Sequence, residues 1–565
     1  MFLLRSIFVA NIFSAFSEAN QNPIVKTDYG EIEGFSFKTS EGFETEMFLG
    51  IPYAKPPIGD LRFEKPEPPI PWNTTLQANK FGAPCATYPN FLAPHGSENC
   101  LTLNIIRPKL FNPSGYTVMV WIHGGAFLVG SSSNYNQNET ASRIVSKGVI
   151  FISINYRLGP FGFFSTGDSE APGNYGIWDQ IEALKFIQKI VEAFGGNKSS
   201  VTIFGESSGG ASVSWLTLIP EAQVLFAKAI PMSGSALSPW AHTEEIVKTS
   251  KKLILATTNC RHKNIKQCLK EKTTEDIQKA TATFAKHILK SDGINLAHFH
   301  PRLEGELLKG MNFEEAIKKA PKREHFMGIC SQENILFAII GLFNDPKTKL
   351  LPISKTVATN FSRGNFVEIV HKILGPEYGN EANEAVEDII NFYEKTQISF
   401  YSRNIYLHLY VQLFSDISFN IPAIREAKLK AKAGQKVYFY LYSFVPDLLI
   451  HEFLDGAGHS SELSNFFGSS LLSPAALPLK GEVAKVQKIT LDLFINFAKT
   501  GIPSSKGLKV PSLTSSTETP YVEINTDTKI MENLWADRMK FWEKHSKKYG
   551  FDWPQYRKIE KHDEL

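Results

Sequence analysis

Four consecutive strand-forming residues, Val201-Thr202-Ile203-Phe204, run without a linker into Gly205-Glu206-Ser207-Ser208-Gly209-Gly210, and a small and apolar segment, Ala211-Ser212-Val213-Ser214-Trp215-Leu216, leaves it. A strand that turns at glycine straight into a helix belongs to a sheet with helices packed on its faces. A serine raised on so sharp a turn presents its hydroxyl above the sheet, with the helix N-terminus behind it to favour developing negative charge. The flanking glycines have a steric reason, because bulky neighbours would clash on a strained turn. Ser207 sits at the centre of Gly-x-Ser-x-Gly, whereas Ser208 has Glu206 where its own motif needs glycine. The bare pentapeptide also serves as a plain strand-to-helix turn, so the surroundings have to decide.

Strands and helices alternate elsewhere too. Val118-Met119-Val120-Trp121-Ile122 and Val149-Ile150-Phe151-Ile152-Ser153-Ile154 read as buried strands, with further strands at 227–232, 326–330 and 437–442. Apolar residues recur at helical spacing from Ile177 to Phe194, and Gly195-Gly196 ends that helix. Residues 24–50 alternate weakly and turn at Asp28-Tyr29-Gly30 like an edge hairpin, and the Pro-rich stretch from Pro52 to Pro71 is irregular. The segment from about 350 to 430 is mainly helical and is expected as a cap beside the sheet. The expected class is α/β, with a large mostly parallel central sheet, helices on both faces, and no repeat or linker that divides it. A chain of 565 residues, 43% of them apolar, is ample for such a core.

The net charge is only +3, from 60 Lys plus Arg against 57 Asp plus Glu, so nothing steers the chain toward nucleic acid. The Lys-rich stretch from Lys540 to Lys558 reads as a solvated helix face. Arg5, the apolar run from Ile7 to Phe13 and small residues from Ser14 to Ala19 read as a signal peptide, cleaved near Ser17 or Ala19. That run is too short, and too broken by Asn11, to span a bilayer, and no other stretch approaches spanning length. His562-Asp563-Glu564-Leu565 is a retrieval signal read by the HDEL/KDEL receptor, which implies the lumen of the endoplasmic reticulum. Residues 18–561 are then a single domain. Sequons at Asn73, Asn138, Asn197 and Asn360, and five cysteines, suit that oxidising compartment. Cys85 lies near Cys100, and Cys260 near Cys268, so two local disulfides with Cys330 left as a thiol is the economical reading. His298-x-His300 has no cysteine neighbour, and no metal site is expected.

A serine hydroxyl is a weak nucleophile without a base and an orienting carboxylate, and a tetrahedral oxyanion needs backbone N–H donors. His123-Gly124-Gly125-Ala126 directly follows the Val118–Ile122 strand. The N–H groups of Gly124 and Gly125, with that of Ser208, are the expected donors. The residues alone leave the base open among 14 histidines.

Here a resemblance narrows the choice. Gly205–Gly210 resembles the nucleophile segment of type-B carboxylesterases and cholinesterases. Cys100-Leu101-Thr102-Leu103-Asn104 is similar to their second signature, although Glu98-Asn99 stands where the family has Glu-Asp. Gly173-Asn174-Tyr175-Gly176-Ile177-Trp178-Asp179-Gln180, Phe194-Gly195-Gly196-Asn197, Ile51-Pro52-Tyr53-Ala54 through Leu61-Arg62-Phe63, and Arg538-Met539-Lys540-Phe541-Trp542 match as well. The resemblance covers roughly the whole mature chain, and with the HDEL ending it is most similar to the gut esterases of nematodes. It implies the α/β-hydrolase fold and a serine carboxylesterase that hydrolyses neutral esters through an acyl-enzyme, with no cofactor. It implies Glu333 as the carboxylate, in Met327-Gly328-Ile329-Cys330-Ser331-Gln332-Glu333, with Asn334 where the family has glycine. It implies His459 as the base, in Gly456-Ala457-Gly458-His459-Ser460-Ser461-Glu462 before Phe466-Phe467-Gly468; His451 lacks the glycines. Glu206 resembles the family's buried acidic neighbour of the nucleophile. Ser233 in Pro231-Met232-Ser233-Gly234-Ser235 resembles a supporting hydroxyl, or is simply a Ser-Gly turn. Arg62 and Glu98 resemble a structural ion pair.

The same alignment implies the substrate pocket. Phe299-His300-Pro301-Arg302-Leu303-Glu304-Gly305 sets Asn295 and Ala297 where acetyl-selective relatives carry phenylalanine, and Trp240 walls one side. Acyl groups longer than acetyl are then expected to fit. The site by itself does not separate a carboxylesterase from a lipase or an amidase. Some relatives on this fold have lost the nucleophile and serve in adhesion, whereas this chain keeps it.

Overall fold

The computed structural model describes residues 22–559 apart from 88–95, 257–259, 261–263, 289–296, 304–305, 339–354, 397–403, 448–453, 470–478 and 514–518. The signal-peptide and HDEL segments, Asn295 and His451 lie outside the described residues.

A sheet of 11 strands runs through the molecule. In chain order its strands are β1 (Phe35–Lys38), β2 (Glu44–Pro52), β3 (Thr102–Pro108), β4 (Tyr116–Ile122), β5 (Val149–Ile154), β6 (Gly196–Glu206), β7 (Lys228–Met232), β8 (Glu324–Cys330), β9 (Lys436–Tyr442), β10 (Pro520–Ile524) and β11 (Lys529–Glu532). The spatial order is β11-β10-β9-β8-β7-β6-β4-β5-β3-β2-β1. Pairing is parallel from β10 through to β5 and antiparallel at both margins. The sheet is thus mostly parallel, as expected, with its antiparallel pairs confined to the margins. The expected hairpin at Asp28-Tyr29-Gly30 does form, from Ile24–Thr27 and Gly30–Glu33, but in a separate small sheet with Leu76–Gln77.

Six helices matter below: α1 (Tyr175–Ile190), α2 (Ser208–Leu218), α3 (Ile405–Ser415), α4 (Ile421–Lys432), α5 (Gly481–Thr500) and α6 (Ala536–Tyr549). Side-chain alternation along β4 assigns the two faces of the sheet. Val118, Val120 and Ile122 enter one core with Ile181 and Leu184 of α1 and Trp215 of α2. Met119 and Trp121 enter the other with Leu493 and Phe494 of α5. Every β5 side chain is buried, as suits a strand covered on both faces. Between Lys355 and Lys432 the described chain is helical and packs a core of its own, with Phe366, Ile389, Tyr393 and Phe414 around Trp542 of α6. One turn of π-helix, Asp416–Asn420, joins α3 to α4. The lysine-rich α6 buries Trp542, His545 and Tyr549 while Lys540, Lys544, Lys547 and Lys548 are exposed, as a solvated face requires.

Both expected disulfides are present, Cys85–Cys100 with Cα atoms 5.0 Å apart and Cys260–Cys268 with 5.6 Å, and Cys330 is a buried free thiol. Arg62 and Glu98 pair at 2.6 Å, both buried. Arg62 also donates to the carbonyls of Leu269, Lys270 and Lys272, which ties the second disulfide segment to the first.

Candidate active site

At the end of β6, Ser207 adopts φ 59° and ψ −125°. A non-glycine residue there costs about 1–3 kcal/mol and persists only where its surroundings hold it. They do so from both sides: the Ser207 N–H donates to the Met232 carbonyl at 2.9 Å, and the Ala211 N–H donates to the Ser207 carbonyl at 2.8 Å. The turn brings α2 so close to β4 that a Cβ on Gly209 would lie 2.0 Å from the Ile122 carbonyl oxygen. Ser208 is fully buried, whereas Ser207 is partly exposed. The outward hydroxyl is therefore that of Ser207.

The loop after β4 passes beside this serine. A Cβ on Gly124 would fall 3.0 Å from Ser207 Cβ and 2.7 Å from the Glu206 carbonyl oxygen. Gly125, Ala126 and Phe127 follow at φ 120°, 55° and 57°. Three successive left-handed residues turn the chain sharply over the elbow, and the sequence signalled this only at glycine. His123 Nδ1–H donates to the Gly124 carbonyl at 2.9 Å. Burial lowers the His123 pKa to about 4, so this imidazole is neutral.

The carboxylate and the imidazole come from opposite ends of a 126-residue separation. Glu333 lies just beyond β8, and its Oε1 accepts the Cys330 N–H at 2.7 Å. Its Oε2 stands 2.6 Å from His459 Nδ1, which makes Nδ1 the protonated nitrogen. His459 Nε2 is buried without a hydrogen-bond partner and lies 3.1 Å from Glu206 Oε1. Asn334 lies outside the left-handed region and donates its N–H to Ser415 Oγ at 2.9 Å, so the departure from the family's glycine is accommodated.

Charge is concentrated here. Glu206, Glu333 and Glu462 are all buried around His459. Burial alone would lower His459, but the carboxylates of Glu206 and Glu333 outweigh it and raise the pKa to about 9. Burial raises Glu206, opposed by His459 and by the Ser460 hydroxyl that donates to it at 2.6 Å. Burial, then Glu206 and Glu333, raise Glu462 to about 7. Ser233 reaches this network through Glu462, its Oγ 3.5 Å from Oε1. Among the described residues no group of three or more His, Cys, Asp or Glu is placed to hold a metal ion.

On the apolar side of the site, Trp240 was expected from the sequence, whereas Phe419 and Phe337 were not. Phe419, in the π-helical turn, and Phe337 place their rings 4.7 and 5.5 Å from the His459 ring. Trp240 packs on Phe419 at 5.5 Å and on Phe127 at 6.4 Å, and its Nε1–H donates to the Ser418 carbonyl at 2.8 Å. Ala297 is fully buried. The one available signal was Phe337, which follows Glu333 at the spacing of one helical turn.

The family described as the Carboxylesterase family matches residues 21–542. The chain belongs to the carboxylesterase family. It is 32% identical over 542 residues to "Gut esterase 1" of Caenorhabditis briggsae, with 94% of each chain covered. Identity is again 32%, over 553 residues and 94% of each chain, to "Gut esterase 1" of Caenorhabditis elegans. "Carboxylesterase 1C" of Mus musculus is 31% identical over 553 residues, 92% of each chain. The sheet and its flanking helices are accordingly an α/β-hydrolase fold, and the chain is a carboxylic-ester hydrolase. No helix among the described residues is long and apolar enough to cross a membrane.

Proposed function

We propose that this carboxylesterase cleaves neutral esters through an acyl-enzyme, with Ser207 as nucleophile, His459 as base and Glu333 as orienting carboxylate. The observation that carries the reading is the 2.6 Å contact of His459 Nδ1 with Glu333, which leaves Nε2 unbonded beside the elbow. Ser207 Oγ attacks the ester carbonyl carbon while its proton passes to Nε2. The N–H groups of Gly124, Gly125 and Ser208 hold the oxyanion. Nε2 then returns the proton to the departing alcohol. A water molecule gives a proton to Nε2 as it attacks the acyl carbon, and Ser207 leaves with that proton as the acid is released. Glu333 stabilises the imidazolium throughout, and no step calls for a cofactor.

An organophosphate should label one serine, and peptide mapping should place it on Ser207. A label on Ser208 would overturn the assignment.

The reading extends to the compartment. A retrieval receptor that recognises the terminal HDEL would keep the enzyme in the endoplasmic-reticulum lumen. Support comes from the two disulfides and from the sequons, of which Asn73, Asn138 and Asn360 are exposed and Asn197 half-buried. Deleting residues 562–565 should release the enzyme into the medium; continued retention would defeat this reading.

A further inference from the structure

Cys330 touches both buried carboxylates that flank the base loop. Its backbone N–H donates to Glu333 Oε1 at 2.7 Å, and its thiol donates to Glu462 Oε2 at 2.9 Å. It is fully buried at the end of β8, packed in the core that holds Tyr440 and Tyr442 of β9. Burial, followed by the charges of Glu462 and Glu333, pushes the thiol well above its ordinary value, so sulfur keeps its proton and acts as a donor. The other groups that face Glu462 are weaker or repulsive. Ser233 Oγ and Tyr440 OH stand at 3.5 and 3.4 Å from Oε1, the carboxylates of Glu206 and Glu333 oppose its charge, and Tyr442 lies beside it. His459 is the cation that a charged Glu462 supports.

We infer that Cys330 is a positioning residue of the hydrolytic site, whose thiol holds Glu462 and thereby sets the proton affinity of His459, while its amide fixes Glu333. The inference rests on the triad proposed above. A packing-only thiol would need no carboxylate at hydrogen-bond distance, and an apolar residue would fill the same space. A hydrogen bond to the charged form favours that form. Without the thiol, Glu462 should hold its proton to higher pH than it does in the intact site. A Glu462 that is less readily charged, and no longer held by the thiol, supports the imidazolium less, so His459 should lose its proton at lower pH.

The test is the acid limb of kcat/KM against pH for a neutral nitrophenyl ester, with active sites counted by organophosphate titration. Cys330→Ala should move that limb to lower pH by about half a unit. Cys330→Ser keeps a donor and should leave the limb where it is. Glu462→Gln should shift the limb in the same direction, and Cys330→Ala added to Glu462→Gln should shift it no further. Cys330→Val, which fills the volume without a donor, should behave as Cys330→Ala and serves if the smaller residue compromises folding. An unmoved limb in folded Cys330→Ala or Cys330→Val, or an equal extra shift on the Glu462→Gln background, would overturn the inference alone. Wild-type turnover in Ser207→Ala would overturn both it and the triad.

Discussion

The two sides of the site are held by different means. The elbow side stands on neighbouring parallel strands: Ile122 of β4 is paired with Gly205 of β6, and each strand ends in its functional turn. Sterics fix it, through close backbone approaches at Gly124 and Gly209. The base side consists of two loops from distant parts of the chain. They are stitched by the Gln332 N–H to the Ala457 carbonyl at 2.9 Å, the Ala457 N–H to Ser331 Oγ at 2.9 Å, and the His459 N–H to the Glu333 carbonyl at 3.2 Å. Buried charge gathers there. Substitutions on the first side should therefore act through geometry, and those on the second through protonation.

The largest effect belongs to the elbow. Ser207→Ala should cost about 10⁴-fold or more in kcat, because losing one member of the proposed triad would disable the unit. Thermal melting should be unchanged or slightly raised, since alanine loses only a partly exposed hydroxyl. Retained turnover would show that the two sides do not meet at this serine.

Gly124→Ala should come next. The added methyl would collide with Ser207 Cβ and the Glu206 carbonyl, and the loop would have to shift. Misplacing one oxyanion donor costs about 10²–10³-fold in kcat. A fall in kcat with KM nearly constant would mark this as geometric. An unchanged kcat would remove the Gly124 loop from the oxyanion site.

Glu206→Gln tests where the two sides meet, because Glu206 stands on the elbow while its carboxylate faces the base at 3.1 Å. The proposed reaction needs a neutral imidazole, so kcat/KM should rise with pH as His459 loses its proton. Glu206 is a principal group raising the His459 pKa. Its removal should weaken the hold on that proton and move the acid limb to lower pH by about one unit. A limb that stays in place would mean that the 3.1 Å approach of Glu206 to Nε2 does not govern the base.

The same contrast explains what could be read from the sequence. The elbow is a local event: strand, glycine turn and helix are contiguous from Val201 to Leu216, and the β4 loop is announced by Gly124-Gly125. The central strands were legible because apolar residues dominate each of them. The marginal antiparallel pairings were not, since periodicity carries no strand direction. Glu333 and His459 emerged only through resemblance to a family, because a 126-residue gap leaves no local pattern. The layer behind them escaped for the same reason. Ser460 meets Glu206 across 254 residues, and Cys330 meets Glu462 across 132. Phe419 reaches His459 because of a π-helical turn, an irregularity that no 3.6-residue pattern announces.

The smallest expected effect concerns the acyl chain, and it joins the two sides. Phe127 of the elbow-side loop, then Trp240, Phe419 and Phe337, form a continuous aromatic surface that ends on the His459 ring. The hydrogen bond of Trp240 to the Ser418 carbonyl fixes its ring, so this wall is apolar and stiff. An acyl chain laid along such a surface gains up to ~0.8 kcal/mol per buried methylene, about fourfold in kcat/KM. Across neutral nitrophenyl esters, kcat/KM should climb from acetate through propionate to butyrate. Trp240→Ala would remove part of the wall and should flatten that climb without moving the pH profile, because Trp240 carries no charge and bonds no triad residue. Acetylcholine carries only an acetyl group and so should draw least on that wall. Acetylcholine turned over with higher kcat/KM than a neutral butyrate ester would show that the wall does not select the acyl group.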